Sequence, residues 1–241
     1  LNHFIEIQKG DDGHIWVMAH TGSRNLGYKV ANYYNKIAVE MNEMWYSQVP
    51  KSHDLAFLPE GSTHYHKYLT EMQYCVDFAL ANRRLMMERV KEAVLSQCPG
   101  TKFDNMINIA HNYTRMENHF GKNVMVHRKG ATSARDGEVG IIPGSQGTCS
   151  YIVRGLGNRD SFMSCSHGAG RVLGRKQAKK ILDLETEKKH LDELGVVHSI
   201  RTVDDLDEAT GAYKDIDVVM KNQEDLVEIL VKLTPLGVIK G

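Results

Sequence analysis

The sequence has no apolar run long enough to cross a bilayer and no segment resembling a signal peptide. These absences exclude a helical membrane span and lead to the expectation of a cytoplasmic chain. Cysteine is scarce: Cys75, Cys98, Cys149 and Cys165 form no Cys-x-x-Cys pair and no disulfide-like spacing. Reduced, mostly buried thiols are the reading. An excess of charge is also missing, since 30 basic and 30 acidic residues sum to zero. The simplest ground for nucleic-acid binding, a strongly basic domain, is therefore absent. Positive charge would have to be concentrated locally, as in His127-Arg128-Lys129-Gly130-Ala131-Thr132-Ser133-Ala134-Arg135. On charge alone, such a run reads as a solvated loop. An initiator Met is lacking too: Leu1-Asn2-His3-Phe4-Ile5-Glu6-Ile7 opens inside what reads as a strand, so the expectation is a chain without its natural beginning.

What is present is ordinary for a globular protein. Hydrophobic residues make up 41% and charged residues 25% of 241 positions, enough to bury the core of one large domain or two small ones. Residues 3–7 and 14–20 are short apolar runs around Gly10-Asp11-Asp12-Gly13, the pattern of a hairpin. Apolar side chains at helical spacing predict helices over 26–46 and 65–95, joined by a loop holding Pro50 and Pro59. The Met-rich stripe of the second helix reads as core. From 106 to 153, short runs broken by Gly, Asn and Ser predict strands and loops. Helices are expected over 171–182, continuing through 185–192, and over 222–232. The fold class read from this order is α+β, as a single domain over 1–241.

Chemistry concentrates in two kinds of place. His3, His20 and His111 stand at the ends of apolar runs, where a scaffold fixes an imidazole's direction. Three such ligands can begin a site for Mn, Zn or Fe. Spacings this long also suit polar surface residues, and with 12 histidines that reading stays open. Two glycine-bearing turns, Ile142-Pro143-Gly144-Ser145-Gln146-Gly147 and Ser166-His167-Gly168-Ala169-Gly170-Arg171, would let backbone N–H groups approach an anion closely. Most glycine-rich turns merely turn. A histidine inside the second allows a general acid, an anion ligand or a nucleophile.

Asn2-His3-Phe4-Ile5-Glu6, His20-Thr21-Gly22-Ser23-Arg24, His111-Asn112-Tyr113, Arg128-Lys129-Gly130-Ala131, Pro143-Gly144-Ser145, Ser166-His167-Gly168-Ala169-Gly170-Arg171, Ala212-Tyr213-Lys214-Asp215 and Lys240-Gly241 follow one another in an order that resembles the RtcB-type RNA-splicing ligases. The resemblance spans essentially the whole chain. It implies an enzyme that joins an RNA 3′-phosphate or 2′,3′-cyclic phosphate to a 5′-hydroxyl, with tRNA halves among its substrates, using GTP and Mn²⁺. His167 would carry GMP, and His3, His20 and His111 would bind manganese.

If residues 2–6 are extended, Phe4 and Glu6 share a face and could pack on guanine and accept from its N1–H and 2-amino groups. The resemblance adds Ser145, Ser150, Tyr213 and Lys240 around the nucleotide, together with the turn of Pro143, Gly144 and Gln146. It places Asn2, Asn112 and the backbone of Gly168, Ala169 and Gly170 near phosphate and ribose. Arg24, Arg128, Lys129 and Arg171 become candidates for RNA or phosphate contacts. Two features depart from the family: its Gly-x-Asp-x-Gly-Cys-Gly segment, which supplies Asp and Cys metal ligands, is absent, and Leu1 stands where glycine is usual. A guanine-nucleotide or RNA-binding fragment and a metal-dependent phosphoesterase are the alternative readings.

Overall fold

The computed structural model describes residues 3–240. The α+β class expected from the sequence is the class observed, with packing in two compact units, residues 3–20 with 90–240 and residues 21–89. Every described candidate residue except Arg24 lies in the larger unit. Among the described residues, no helix is long and apolar enough to cross a membrane.

The larger unit is built on β1 (Phe4–Gly10), β2 (Ile15–His20), β6 (Val139–Ile142), β7 (Ser150–Gly155) and β9 (Val227–Lys240). They form one antiparallel sheet in the order β2-β1-β9-β7-β6. Two small ribbons accompany it. One pairs β3 (Asn112–His119) with β4 (Lys122–Lys129), and the other pairs β5 (Ala131–Ser133) with β8 (Ser164–Ser166). Both faces of the sheet are covered. Tyr151 and Val153 pack with Ile142, Ile216 and Val227, while Ile152 packs with Met18, Val231 and Leu233. This explains why β7 reads as a continuous apolar run rather than an alternating one.

The helix expected over 222–232 is not formed. The helix there is α5 (Ile216–Lys221), and the chain then runs as β9, the central strand of the sheet. Val231, Leu233, Pro235 and, past a bulge, Val238 point inward, so the period is that of a strand. Pro235 cannot donate to a central ladder, and the register accordingly shifts beside it, from Ile7 opposite Gly237 to Gln8 opposite Pro235. The helix expected from Arg171 begins only at Arg175, as α3 (Arg175–Ile181), because Arg171 instead bridges Tyr213 and Val172 donates to the Ala212 carbonyl. Extended backbone at Leu182 and Asp183 separates it from α4 (Leu184–Glu193), whose N-terminus Asp183 caps by accepting from Thr186 N–H.

The smaller unit holds α1 (Leu26–Met44) and most of α2 (Thr63–Gln97). Tyr34, Ala38 and Asn42 form the buried stripe of α1, at i, i+4 and i+8. The Tyr34 hydroxyl donates to Glu71, and the Asn42 amide exchanges two hydrogen bonds with the Phe57 backbone.

Candidate nucleotide site

β1 alternates, so Phe4, Glu6 and Gln8 share one face, and Glu6 and Gln8 are buried. The Gln8 side chain donates to Glu6 Oε1 at 2.9 Å and to Ser150 Oγ at 3.0 Å. Ser150 Oγ accepts in turn from Gly144 N–H at 3.1 Å. One fully buried glutamine thus joins the carboxylate to the Pro143–Gly147 turn through Ser150. Burial pushes the Glu6 carboxyl up from 4.5 to about 7, against the pull of Gln8 and Lys240. Gly144 is required sterically: a Cβ there would lie 2.2 Å from the Cys149 carbonyl oxygen.

The second turn is pinned along its length. Ser166 is held by Gln223, Ala169 N–H donates to the Pro143 carbonyl, and Lys214 N–H donates to the Gly170 carbonyl. Gly130, at φ +74°, passes close to the His167 ring, where a Cβ would sit 3.8 Å from Cε1. The imidazoles form a file: His20 and His111 have ring centroids 5.1 Å apart, as do His111 and His167, and Phe4 continues it 5.4 Å from His20.

These elements enclose a cavity of about 270 Å³. It is lined by Phe4, Glu6, His20, Pro143, Gly144, Ser145, Gln146, His167, Gly168, Ala169, Gly170, Arg171, Tyr213 and Lys240, all singled out from the sequence, together with Arg175, Glu208 and Val238. Ser150 does not line it and acts from behind, through Gly144 and Gln8. Asn112 is exposed at the start of β3 and is not among the lining residues. Asn2 lies outside the described residues. His3 directly precedes β1, and its Nδ1 is buried, as is that of His111. Among the described residues, no group of three or more His, Cys, Asp or Glu side chains gathers closely enough for a metal ion. The His20–His111 pair could supply nitrogen donors to a divalent metal such as manganese.

Two arginines differ from expectation. Arg128 is not available to RNA: its buried guanidinium bonds to Glu117 at 2.6 and 3.0 Å, to Ser164 Oγ and to the Phe162 carbonyl. Burial alone would raise the Glu117 carboxyl, but Arg128 and His119 hold it down at about 2. Arg171 spends its donors on Glu208 and on the Leu173 and Asp207 carbonyls.

Glu208 carries no mark in the sequence. It closes the acidic run Asp204-Asp205-Leu206-Asp207-Glu208, in which Asp204 is exposed and Asp205 and Asp207 are half-buried. In the fold it is buried, and it accepts from Tyr213, Arg171 and Arg175. Burial would raise its carboxyl, and Tyr213, Lys240, Arg171 and Arg175 together hold it below the usual value.

A buried carboxylate beside an aromatic ring, a histidine on a pinned glycine turn and a cationic rim converge on one small cavity. The tRNA-splicing ligase RtcB family profile matches residues 2–241, and the chain belongs to that family. It is 42% identical over 246 residues to the RNA-splicing ligase RtcB of Escherichia coli (strain K12), covering 100% of this chain and 59% of the relative. The tRNA-splicing ligase RtcB of Thermococcus kodakarensis is 33% identical over 282 residues, with 58% of its length covered. The RNA-splicing ligase RtcB of Mycobacterium bovis is 32% identical over 276 residues, with 63% covered. The chain thus spans about three-fifths of the length of these relatives.

Proposed function

We propose that this chain forms the nucleotide-transfer centre of a GTP-dependent RNA ligase, which joins 3′-phosphate or 2′,3′-cyclic-phosphate RNA ends to 5′-hydroxyl ends. The observation that carries this reading is that His167 lines the same small cavity as Phe4 and the buried Glu6. Ionised Glu6 accepts from guanine N1–H and the 2-amino group, a pattern adenine cannot offer, while Phe4 packs on the base. A neutral His167 ring nitrogen attacks the α-phosphorus of GTP, forming an N–P bond as pyrophosphate leaves. A cyclic RNA end is first opened to the 3′-phosphate, whose oxygen then takes GMP from His167. The 5′-hydroxyl oxygen finally attacks that activated phosphorus, and GMP departs as the phosphodiester forms. The Ala169 N–H of the turn at 168–170 is spent on the Pro143 carbonyl, which leaves the Gly168 and Gly170 N–H groups to face phosphate. His3, His20 and His111 would hold manganese, which when bound would neutralise charge on the phosphate. A cytoplasmic setting is part of this proposal, and the four unpaired cysteines support it.

The test is incubation with labelled GTP and Mn²⁺ followed by denaturing electrophoresis. Label should stay on the wild-type chain and vanish from His167→Ala. A wild-type chain that stays unlabelled, both by itself and joined to the segment by which its relatives are longer, would sink the reading. A second reading, a guanine-nucleotide or RNA-binding fragment without catalysis, is favoured by the lack of a gathered metal-ligand group among the described residues. Nucleotide binding with no label transfer would select it.

A further inference from the structure

We propose that Glu208 is the positioning residue of the nucleotide cavity, its single buried carboxylate fixing Tyr213 and Lys240 through one oxygen and Arg171 and Arg175 through the other. This rests on the nucleotide reading above and goes beyond it, because Glu208 belongs to none of the motifs that carry the resemblance.

The geometry divides the carboxylate cleanly. Oε1 accepts from Arg171 Nη1 and Arg175 Nε, both at 3.1 Å. Oε2 accepts from the Tyr213 hydroxyl and lies 3.9 Å from Lys240 Nζ. The backbone joins in, since the Glu208 carbonyl accepts from Gln146 Nε2 at 2.9 Å. These partners come from distant parts of the chain, yet all five line the cavity. Arg171 also stacks over the Tyr213 ring, 5.0 Å from its centroid, so the guanidinium and the phenol are held as one unit.

With the side chain only 2% exposed, water cannot replace a lost partner. Lys240 sits between two carboxylates, Glu6 and Glu208, that both attract it. Glu208 therefore sets how far the ammonium reaches toward Glu6, the group assigned to guanine. Replacing one carboxylate oxygen with NH₂ would set donor against donor on either side: against the ammonium, with the phenol forced to turn from donor to acceptor, or against both guanidinium groups. The shape would be kept and the arrangement lost.

The experiment compares wild type, Glu208→Gln and Glu208→Asp in the full reading frame. It measures GTP half-saturation and maximal rate of His167 labelling, GMP binding by calorimetry in a His167→Ala background, and thermal midpoint. For Glu208→Gln, half-saturation and GMP dissociation should rise about 10–100-fold, the loss expected for charge-assisted hydrogen bonds. Maximal rate should fall far less, because ground-state and transition-state binding weaken together. Unchanged GMP affinity in a folded Glu208→Gln chain overturns the proposal, as does a rate loss that merely tracks a lowered midpoint. If the Gln chain does not fold, Glu208→Asp is read by the same two criteria. A wild-type chain that binds no guanine nucleotide overturns the nucleotide reading and this inference with it; a wild type that binds normally beside an unaffected variant overturns this inference alone.

Discussion

The Gln223 side-chain amide grips Ser166 at two points: its Oε1 accepts from the Ser166 backbone N–H and its Nε2 donates to Ser166 Oγ, both at 3.0 Å. Gln223 is buried just beyond α5 and also lies against Met220 Sδ. It therefore fixes the end of β8, one residue before His167. Gln223→Leu should leave GTP half-saturation nearly unchanged and slow His167 labelling by about 100-fold, the scale of a 1 Å misplacement of a reacting group. Single-turnover labelling across a GTP titration checks it, and an unaltered rate would make the grip irrelevant to the histidine.

Glu6 ties stability to pH in a direction opposite to that of most paired carboxylates. Its folded value of about 7 exceeds the ordinary 4.5, so the folded chain binds the proton more tightly than the unfolded one. Below about pH 4.5 both states are protonated and nothing is lost. Stability then falls as pH rises from about 4.5 through 7, reaching a penalty of ~3 kcal/mol. Glu6→Gln should be more stable than wild type at pH 8 and nearly equal to it at pH 4.5 in urea unfolding without nucleotide. The same variant should lose its preference for guanine over adenine nucleotides.

Arg128→Met should destabilise the chain by about 3–5 kcal/mol, because it strands the buried Glu117 carboxylate. Glu117→Gln combined with Arg128→Met should recover part of that loss. Urea unfolding of the single and double variants at neutral pH decides it. A single-variant loss below about 1 kcal/mol would mean that the pair behaves as a solvated one.

Gly144→Ala should displace the Pro143–Gly147 turn, since its Cβ would also meet Thr148 Oγ1 at 2.6 Å. A cost of about 1–3 kcal/mol is expected from overpacking, with weakened guanine-nucleotide binding. Gly22→Ala, where a Cβ meets nothing within 4 Å, is the control and should stay close to wild type in both readings.

The sequence made legible those features whose signal is local. The 4–10 and 15–20 strands, both long helices and the glycine turns follow from period and turn chemistry. The sheet's central strand was not legible: Glu224-Asp225-Leu226-Val227-Glu228-Ile229 suits a helix turn as well as a strand, and only the ladders with β1 and β7 decide between them. The cavity's motif residues were found because each sits in a distinctive short segment. Glu208, Gln8 and Gln223 were not, because their role lies in partners remote in sequence. Arg128 failed for the converse reason: in a basic run it looks like every other cation until Glu117 is seen beneath it.

Phe4 and Lys240 are register partners across β1 and β9, with nearly all of the described chain between them. The cavity wall that carries Glu6 is thus sealed by a pairing of very high contact order, the slowest kind to form. A nascent chain that has not yet delivered β9 to the sheet has every glycine turn and His167 but no closed cavity. If the cavity takes GTP as proposed, an unfinished polypeptide cannot yet capture it, through topology alone.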